Sequence, residues 1–315
     1  MKQLVAIVAY YMFGYLIFWT FLHETDLFPK VWVQDNFSIA IYLWVFFFIV
    51  PLFLIALGTE YIKRRIAEFK SLGQSSRWPL YILIFGATGA VGSSLAKLMQ
   101  NGSTECHLIG KSQDEVSRLS DETGHSFSVA DVLEEGYLDK IDSDLADTEI
   151  KGIAYCVGSI DLKPINLISK KDVMKSFSLN LFPIYDIIKK FNQSLKNNKG
   201  SIVLFSTVAA NQGFPNHGII SPVKASLEGL TISLAAEFSP NVRVNCIAPS
   251  MSNSKMASKI LKNPKIAEGI AKMHPLKRLG EGKDSAALAK FLLSDDSSWI
   301  TGQIIGVDGG RSNVG

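Results

Sequence analysis

The 315 residues suffice for one large α/β domain and an appendage, and a mean hydropathy of +0.19 with 47% hydrophobic residues is high for a soluble protein. A net charge of +3, without an Arg/Lys stripe interleaved with aromatics, gives no footprint for nucleic acid. Three widely spaced cysteines, Cys106, Cys156 and Cys246, each in or at the end of an expected strand, read as reduced core thiols of a cytosolic-facing domain and not as disulfides or metal ligands.

The hydropathy excess lies in the first 58 residues. No charge occurs between Lys2 and His23, and Leu4 to Leu22 is almost wholly apolar, about the length that crosses a bilayer core of roughly 30 Å. A second uncharged stretch runs from Ile39 to Leu57, so residues 1–58 are expected to form a transmembrane hairpin with spans near 4–22 and 39–57. Pro51 is tolerated in a membrane helix. A cleaved signal peptide is disfavoured, because the first apolar stretch is too long and no small-x-small site follows it. The connector carries Glu24, Asp26 and Asp35 against Lys30, whereas Lys63, Arg64, Arg65, Lys70 and Arg77 outnumber Glu60 and Glu68 after the second span. The positive-inside rule then predicts an integral membrane protein, of the inner membrane if bacterial, with both termini and the following domain cytoplasmic. Residues 59–79 read as a basic juxtamembrane linker, lying on anionic lipid or simply solvated.

The rest of the chain, 80–315, is organised around residues 80–92. Leu80-Tyr-Ile-Leu-Ile-Phe85 has the pattern of a strand buried on both faces, and the segment from Ser93 has a helical period. Between them, Gly86, Thr88, Gly89, Ala90, Val91 and Gly92 form a glycine turn suited to cradling a pyrophosphate on a helix N-terminus. Further strands are expected near 105–109, 126–130, 152–156, 201–205, 242–247 and 304–307, with helices near 93–101, 113–121, 133–146, 171–196, 221–238 and 283–293. Such alternation predicts an α/β, Rossmann-type, doubly wound parallel sheet of about seven strands, with ligands beyond the carboxyl ends of the strands. No metal site is expected.

Residues 80–312 resemble a short-chain dehydrogenase/reductase. The resemblance is carried by Trp299-Ile-Thr-Gly-Gln303 with Val307-Asp-Gly-Gly310, by Asn241-Val-Arg-Val-Asn245-Cys-Ile-Ala-Pro249, by Leu204-Phe-Ser-Thr-Val-Ala209, and by Asn180. It implies that Asp131 and Val132 contact the adenine, that Pro249 is among the cofactor-binding residues and Ser254 lies near the nicotinamide carboxamide, and that the domain forms a homo-oligomer. Ser250 stands where the family commonly has glycine, and Cys156-Val-Gly158 replaces its Asn-Ala-Gly. The glycine turn is one residue shorter than in most members with a catalytic tyrosine.

The second strand ends Leu108-Ile-Gly-Lys111-Ser112, with no carboxylate to accept from a free ribose 2′-hydroxyl. An ammonium with a neutral hydroxyl donor suits a 2′-phosphate better, so NADP(H) is expected over NAD(H), which remains possible.

In the resembling family a tyrosine gives or takes the substrate's proton, a lysine four residues on holds the ribose, a hydroxyl polarises the oxygen, and an asparagine supports a proton relay. The matching positions are Thr207 for the hydroxyl, Lys224 for the lysine and Asn180 for the asparagine; the tyrosine position is Ile220. Losing a general acid typically removes about 10²- to 10⁴-fold in rate. His217, three residues upstream, could supply the proton or be an idle loop histidine, and Ser221 with Pro222 could cap the helix.

Two functions are therefore expected in competition. One is a membrane-anchored, NADP(H)-dependent oxidoreductase of a small carbonyl or alcohol substrate, possible lipid solubility included, with the bilayer as its other partner. The other is a catalytically silent dinucleotide-binding sensor or scaffold, which Ile220 explains directly.

Overall fold

The computed structural model describes residues 79–314, apart from Asn101, Ser103, Ala146 and Asp147. The expected hairpin and all but the last residue of the juxtamembrane linker lie outside the described residues. Among the described residues no helix is long and apolar enough to cross a membrane.

In chain order the elements are β1 (Leu80–Phe85), α1 (Ala90–Met99), β2 (Glu105–Gly110), α2 (Gln113–Thr123), β3 (Ser126–Val129), α3 (Tyr137–Leu145) and β4 (Glu149–Tyr155), then α4 (Lys170–Asn180), α5 (Phe182–Asn197), β5 (Ser201–Phe205), α6 (Ile220–Phe238) and β6 (Arg243–Pro249). There follow β7 (Ser252–Asn253), α7 (Ser258–Leu261), α8 (Pro264–Lys272), β8 (Gly280–Glu281), α9 (Gly282–Leu293) and β9 (Ile304–Val307). Seven strands form one sheet in the order β3-β2-β1-β4-β5-β6-β9, every ladder parallel, and β7 pairs with β8 as a separate stub.

Strand residues alternate between two apolar layers, which is why the strands read as continuous hydrophobic runs. Leu83, Phe85, Ile153, Ile202 and Leu204 pack on one face against α3, α5 and α6. Ile82, Ile84, Ala154, Val203 and Ile247 pack on the other against α1, α2 and α9. The strand order reverses direction between β1 and β4, so their carboxyl ends flank the crevice in which such sheets bind ligands.

Three expected boundaries are corrected. Helix α1 begins at Ala90, not near 93, with Gly89 as its extended N-cap. The single helix expected over 171–196 is two: φ widens to −119° at Leu181, between the helices, and Pro183, at the start of α5, has no N–H to bond the carbonyl of Leu179. The hydroxyl of Tyr155, on β4, donates to that carbonyl at 2.7 Å instead. Helix α6 begins at Ile220, so Ser221 is not its N-cap; the Ser221 hydroxyl donates to the Ala209 carbonyl.

A polar chain is built into the sheet edge. His107 on β2 is buried, with Nδ1 2.8 Å from Ser126 Oγ and Nε2 2.7 Å from Ser128 Oγ, and Ser128 donates to Asp144 at 2.6 Å. Since the one Ser128 proton goes to the carboxylate, Nε2–H must donate to Ser128, and Nδ1 accepts from Ser126. Burial holds the imidazole pKa down to about 4, against a weaker opposing pull from Asp144, so it is neutral.

Candidate active site

The carboxyl ends of β1, β4, β5 and β6 open onto a cavity of about 580 Å³. Thr88, Gly89, Ala90 and Val91 form one wall, and Thr207, His217, Ile220, Lys224, Pro249 and Ser254 line the same space. Ten sequence-predicted residues, from five chain segments, are thus brought together. Gly86, Gly92, Asn180, Lys111, Ser112, Asp131 and Val132 lie outside that lining.

The cradle follows from the start of α1. The first intrahelical bond runs from the Ser93 N–H to the Gly89 carbonyl at 2.9 Å, which leaves the N–H groups of Ala90, Val91 and Gly92 without helical partners. A Cβ on Gly92 would stand 2.4 Å from the Gly86 carbonyl oxygen, so only glycine lets the helix begin this close to the strand. Open N–H groups at the positive end of a ten-residue helix fit a pyrophosphate.

Lys224 is buried, and its Nζ donates to the Phe205 carbonyl at 2.9 Å. Two of its three N–H donors remain, and among the described residues no carboxylate pairs with it. Burial lowers its pKa to about 8. Thr207 accepts from the Ala209 N–H at 3.3 Å, which leaves its hydroxyl proton to donate into the cavity. Behind Thr207, Ser206 Oγ lies 2.7 Å from Glu228 and 3.1 Å from the Lys224 carbonyl and shares its one proton between them, tying β5 to α6.

Asn180 is fully buried, clasped by Ser159: its amide donates to Ser159 Oγ at 3.1 Å and its Oδ1 accepts from the Ser159 N–H at 3.3 Å. A Cβ on Gly158 would lie 3.0 Å from Asn180 Oδ1 and 3.1 Å from Lys224 Nζ, so that glycine lets the two polar groups converge. Ser159, a cavity residue, donates to Asp161 at 2.5 Å, and Ser176 donates to the same oxygen at 2.9 Å. Sequence analysis missed Ser159 and Asp161; their only signal was a serine and a carboxylate just beyond the fourth strand.

Ile220 is buried in the cavity wall at the first turn of α6. Among the described residues no tyrosine lines the cavity. Tyr155 is buried beneath it with its phenol pKa raised by burial, and Tyr185 is exposed on α5. His217 Nδ1 lies 2.8 Å from the Pro215 carbonyl, which can only accept, so Nδ1 carries a proton. A neutral His217 therefore offers Nε2 as a base, and only its imidazolium offers a proton there.

Elsewhere, Lys111 is exposed after β2, and Ser112 is the N-cap of α2 without a side-chain cap bond, so its hydroxyl is uncommitted. Glu115, on α2, enters the cavity lining and is paired with Lys255 at 2.5 Å. Asp131 accepts from the Leu133 N–H at 3.0 Å, and Val132 is buried. Ser254 accepts from the Ala257 N–H at 3.1 Å. The unexpected Ser250 has a partner: His274 Nδ1 donates to the Ile270 carbonyl at 2.8 Å, and Nε2 meets Ser250 Oγ at 2.8 Å.

A family model described as enoyl-(acyl carrier protein) reductase matches residues 86–312. The chain belongs to the short-chain dehydrogenase/reductase family. Members of this family are NAD(P)-dependent oxidoreductases. This short-chain dehydrogenase/reductase is 29% identical over 247 residues to a tropinone reductase homolog of Arabidopsis thaliana, covering 74% of this chain and 94% of that one. It is 28% identical over 248 residues to the 3-oxoacyl-(acyl-carrier-protein) reductase FabG of Chlamydia trachomatis, covering 73% and 96%. A short-chain type dehydrogenase/reductase from Mycobacterium ulcerans superposes with a TM-score of 0.68 at 25% identity, over 74% of this chain and 90% of that one.

Proposed function

We propose that this short-chain dehydrogenase/reductase is a membrane-anchored, NADP(H)-dependent oxidoreductase acting on an apolar carbonyl or alcohol from the cytoplasmic side. The observation that carries the redox reading is Lys224. A buried ammonium without a carboxylate partner is costly, and its two spare donors beside the cradle suit the hydroxyls of a nicotinamide ribose. A domain kept for its fold alone would gain by losing it.

The cofactor, when bound, supplies or accepts the hydride. The N–H groups of Ala90 to Gly92 hold its pyrophosphate, Lys224 its ribose, and Thr207 donates to the substrate oxygen. The Phe205 carbonyl holds Lys224, and the missing side chain at Gly158 leaves room for its ammonium. The proton comes from a water or from the His217 imidazolium. Lys111 and the uncommitted Ser112 hydroxyl at an α-helix N-terminus favour a 2′-phosphate, with Glu115 neutralised by Lys255. Val157, Ile160, Phe205, Ile220, Met251 and Met256 make the lining largely apolar, which supports a lipid-soluble substrate. Anchoring is supported by the two uncharged N-terminal stretches. Exposed Phe182, Tyr185 and Ile232 on α5 and α6 support a homo-oligomer.

Ile220 favours one second reading, a module that binds dinucleotide without turnover. The deciding experiment is NADPH and NADH titration of residues 76–315 by fluorescence, followed by single-turnover oxidation with a panel of carbonyls that includes apolar ones. Tight NADPH binding with hydride transfer that is lost in Lys224→Ala establishes the enzyme. Tight binding without transfer hands the function to the silent module.

A further inference from the structure

Between β7 and β8 the chain makes an excursion, residues 254–279, that forms a lid. Ser254, Lys255 and Met256 line the cavity, and beyond them α7 and α8 contribute no buried residue. From Ser254 to Met273 the one buried side chain is Ala257. A nine-residue helix such as α8 is too short to persist in water on its own hydrogen bonds. Its capping by Asn263 and Pro264 is local help only.

The composition of the lid indicates what covers it. Ile266, Ile270 and Met273 fall at i, i+4 and i+7 on one stripe, and Ile266 and Met273 are 50% and 54% exposed. Around them stand seven basic residues against Glu268 alone, so the lid carries +6 where the whole chain carries +3. Lys255, Lys272 and Arg278 are paired with Glu115, Glu268 and Asp284. Lys259, Lys262, Lys265 and Lys277 have no ion-pair partner among the described residues. An exposed apolar stripe bordered by unpaired lysines complements acyl chains beneath anionic headgroups. An acidic protein would satisfy the lysines and leave the stripe in water.

We propose that this lid is a docking surface for an anionic lipid bilayer, with Ile266 and Met273 entering the interface and Lys259, Lys262 and Lys265 meeting the headgroups. It requires neither turnover nor the N-terminal hairpin, so its failure and that of the redox reading are separable.

Residues 76–315 form a compact unit, and the matched stretch makes up 94% and 96% of the two relatives above, so the unit stands alone in those proteins. Without cofactor or substrate, it is expected to sediment with vesicles of phosphatidylglycerol and phosphatidylcholine in equal parts, and not with phosphatidylcholine alone. Replacing Lys259, Lys262 and Lys265 by Gln together should weaken that binding about a hundredfold, roughly fivefold per lysine. Ile266→Ser should weaken it several-fold at unchanged charge. In the unsubstituted protein, amide exchange of α8 should slow on the anionic vesicles only. Equal binding to both vesicles, full binding by the lysine variant, or unaltered exchange would overturn the proposal. So would binding that high salt abolishes and Ile266→Ser leaves intact, which would assign the surface to an acidic protein.

Discussion

Ile220 and Lys224 lie one turn apart at the start of α6, both buried and both in the wall of the cavity onto which the glycine turn opens. The lysine is held by the Phe205 carbonyl, while the side chain one turn before it has no proton to give.

Ile220→Tyr should therefore place a phenol beside Lys224 and the Thr207 hydroxyl. Single-turnover oxidation of NADPH by a ketone is expected to rise about 10²- to 10⁴-fold. A variant that folds, binds NADPH and shows no gain would mean that the cavity does not seat a carbonyl next to that position.

Lys224→Met tests the buried ammonium by stability. Its folded pKa, about 8, is below its ordinary 10.5, so between those values the unfolded chain binds more protons and stability rises with pH. At pH 7 the buried charge costs the cofactor-free fold, and the Met variant should be more stable by about 3 kcal/mol, the gap closing towards pH 10.5. The measurement is the difference between the two denaturation curves, since burial pushes the Cys106, Cys156 and Cys246 thiols up to about 12 and works the other way above pH 9. NADPH affinity should fall about tenfold or more in the same variant.

Lys111→Asp should weaken NADPH relative to NADH by about tenfold or more, because a carboxylate beside a 2′-phosphate repels it and accepts from a free 2′-hydroxyl. Competitive titration of the two dinucleotides reads this directly; an unchanged ratio would remove Lys111 from the site.

His107 predicts an acid limit. Its folded pKa, about 4, lies below the ordinary 6.5, so the network's contribution is whole above pH 6.5 and is lost as pH falls towards 4. The loss should approach about 3 kcal/mol in denaturant unfolding, and His107→Gln should flatten it. A wild-type profile that is level from pH 7 to 4 would contradict the neutral, buried imidazole.

What was legible in the sequence was what periodicity and spacing encode. The strand Leu80–Phe85 is buried on both faces and reads as such, whereas Thr207, Ile220 and Lys224 are picked out by the resemblance to the family's motif and not by periodicity. The break at Leu181 was not legible, because Pro183 two residues on is as compatible with a first helical turn as with a kink. The start of α1 was blurred by two glycines in four residues. Helices α7 and α8 bury nothing; the stripe of Ile266, Ile270 and Met273 carries a helical period, but it is short and faces no core, and sequence analysis missed it. The clasp of Ser159 and Asp161 on Asn180 joins a loop to a helix some 20 residues away, a proximity that only the folded chain creates.

The hydrogen bond between Ser250 and His274 has a mechanical consequence. Ser250 follows β6 at the carboxyl edge of the sheet, and His274 closes the far end of the excursion. The Ser250 hydroxyl thus helps pin the return limb to the sheet, while the outgoing limb is tied to α2 by the Lys255–Glu115 pair and to β8 by the stub strand. Removing the Ser250 hydroxyl would therefore loosen the return limb, and removing the Lys255 charge the outgoing one.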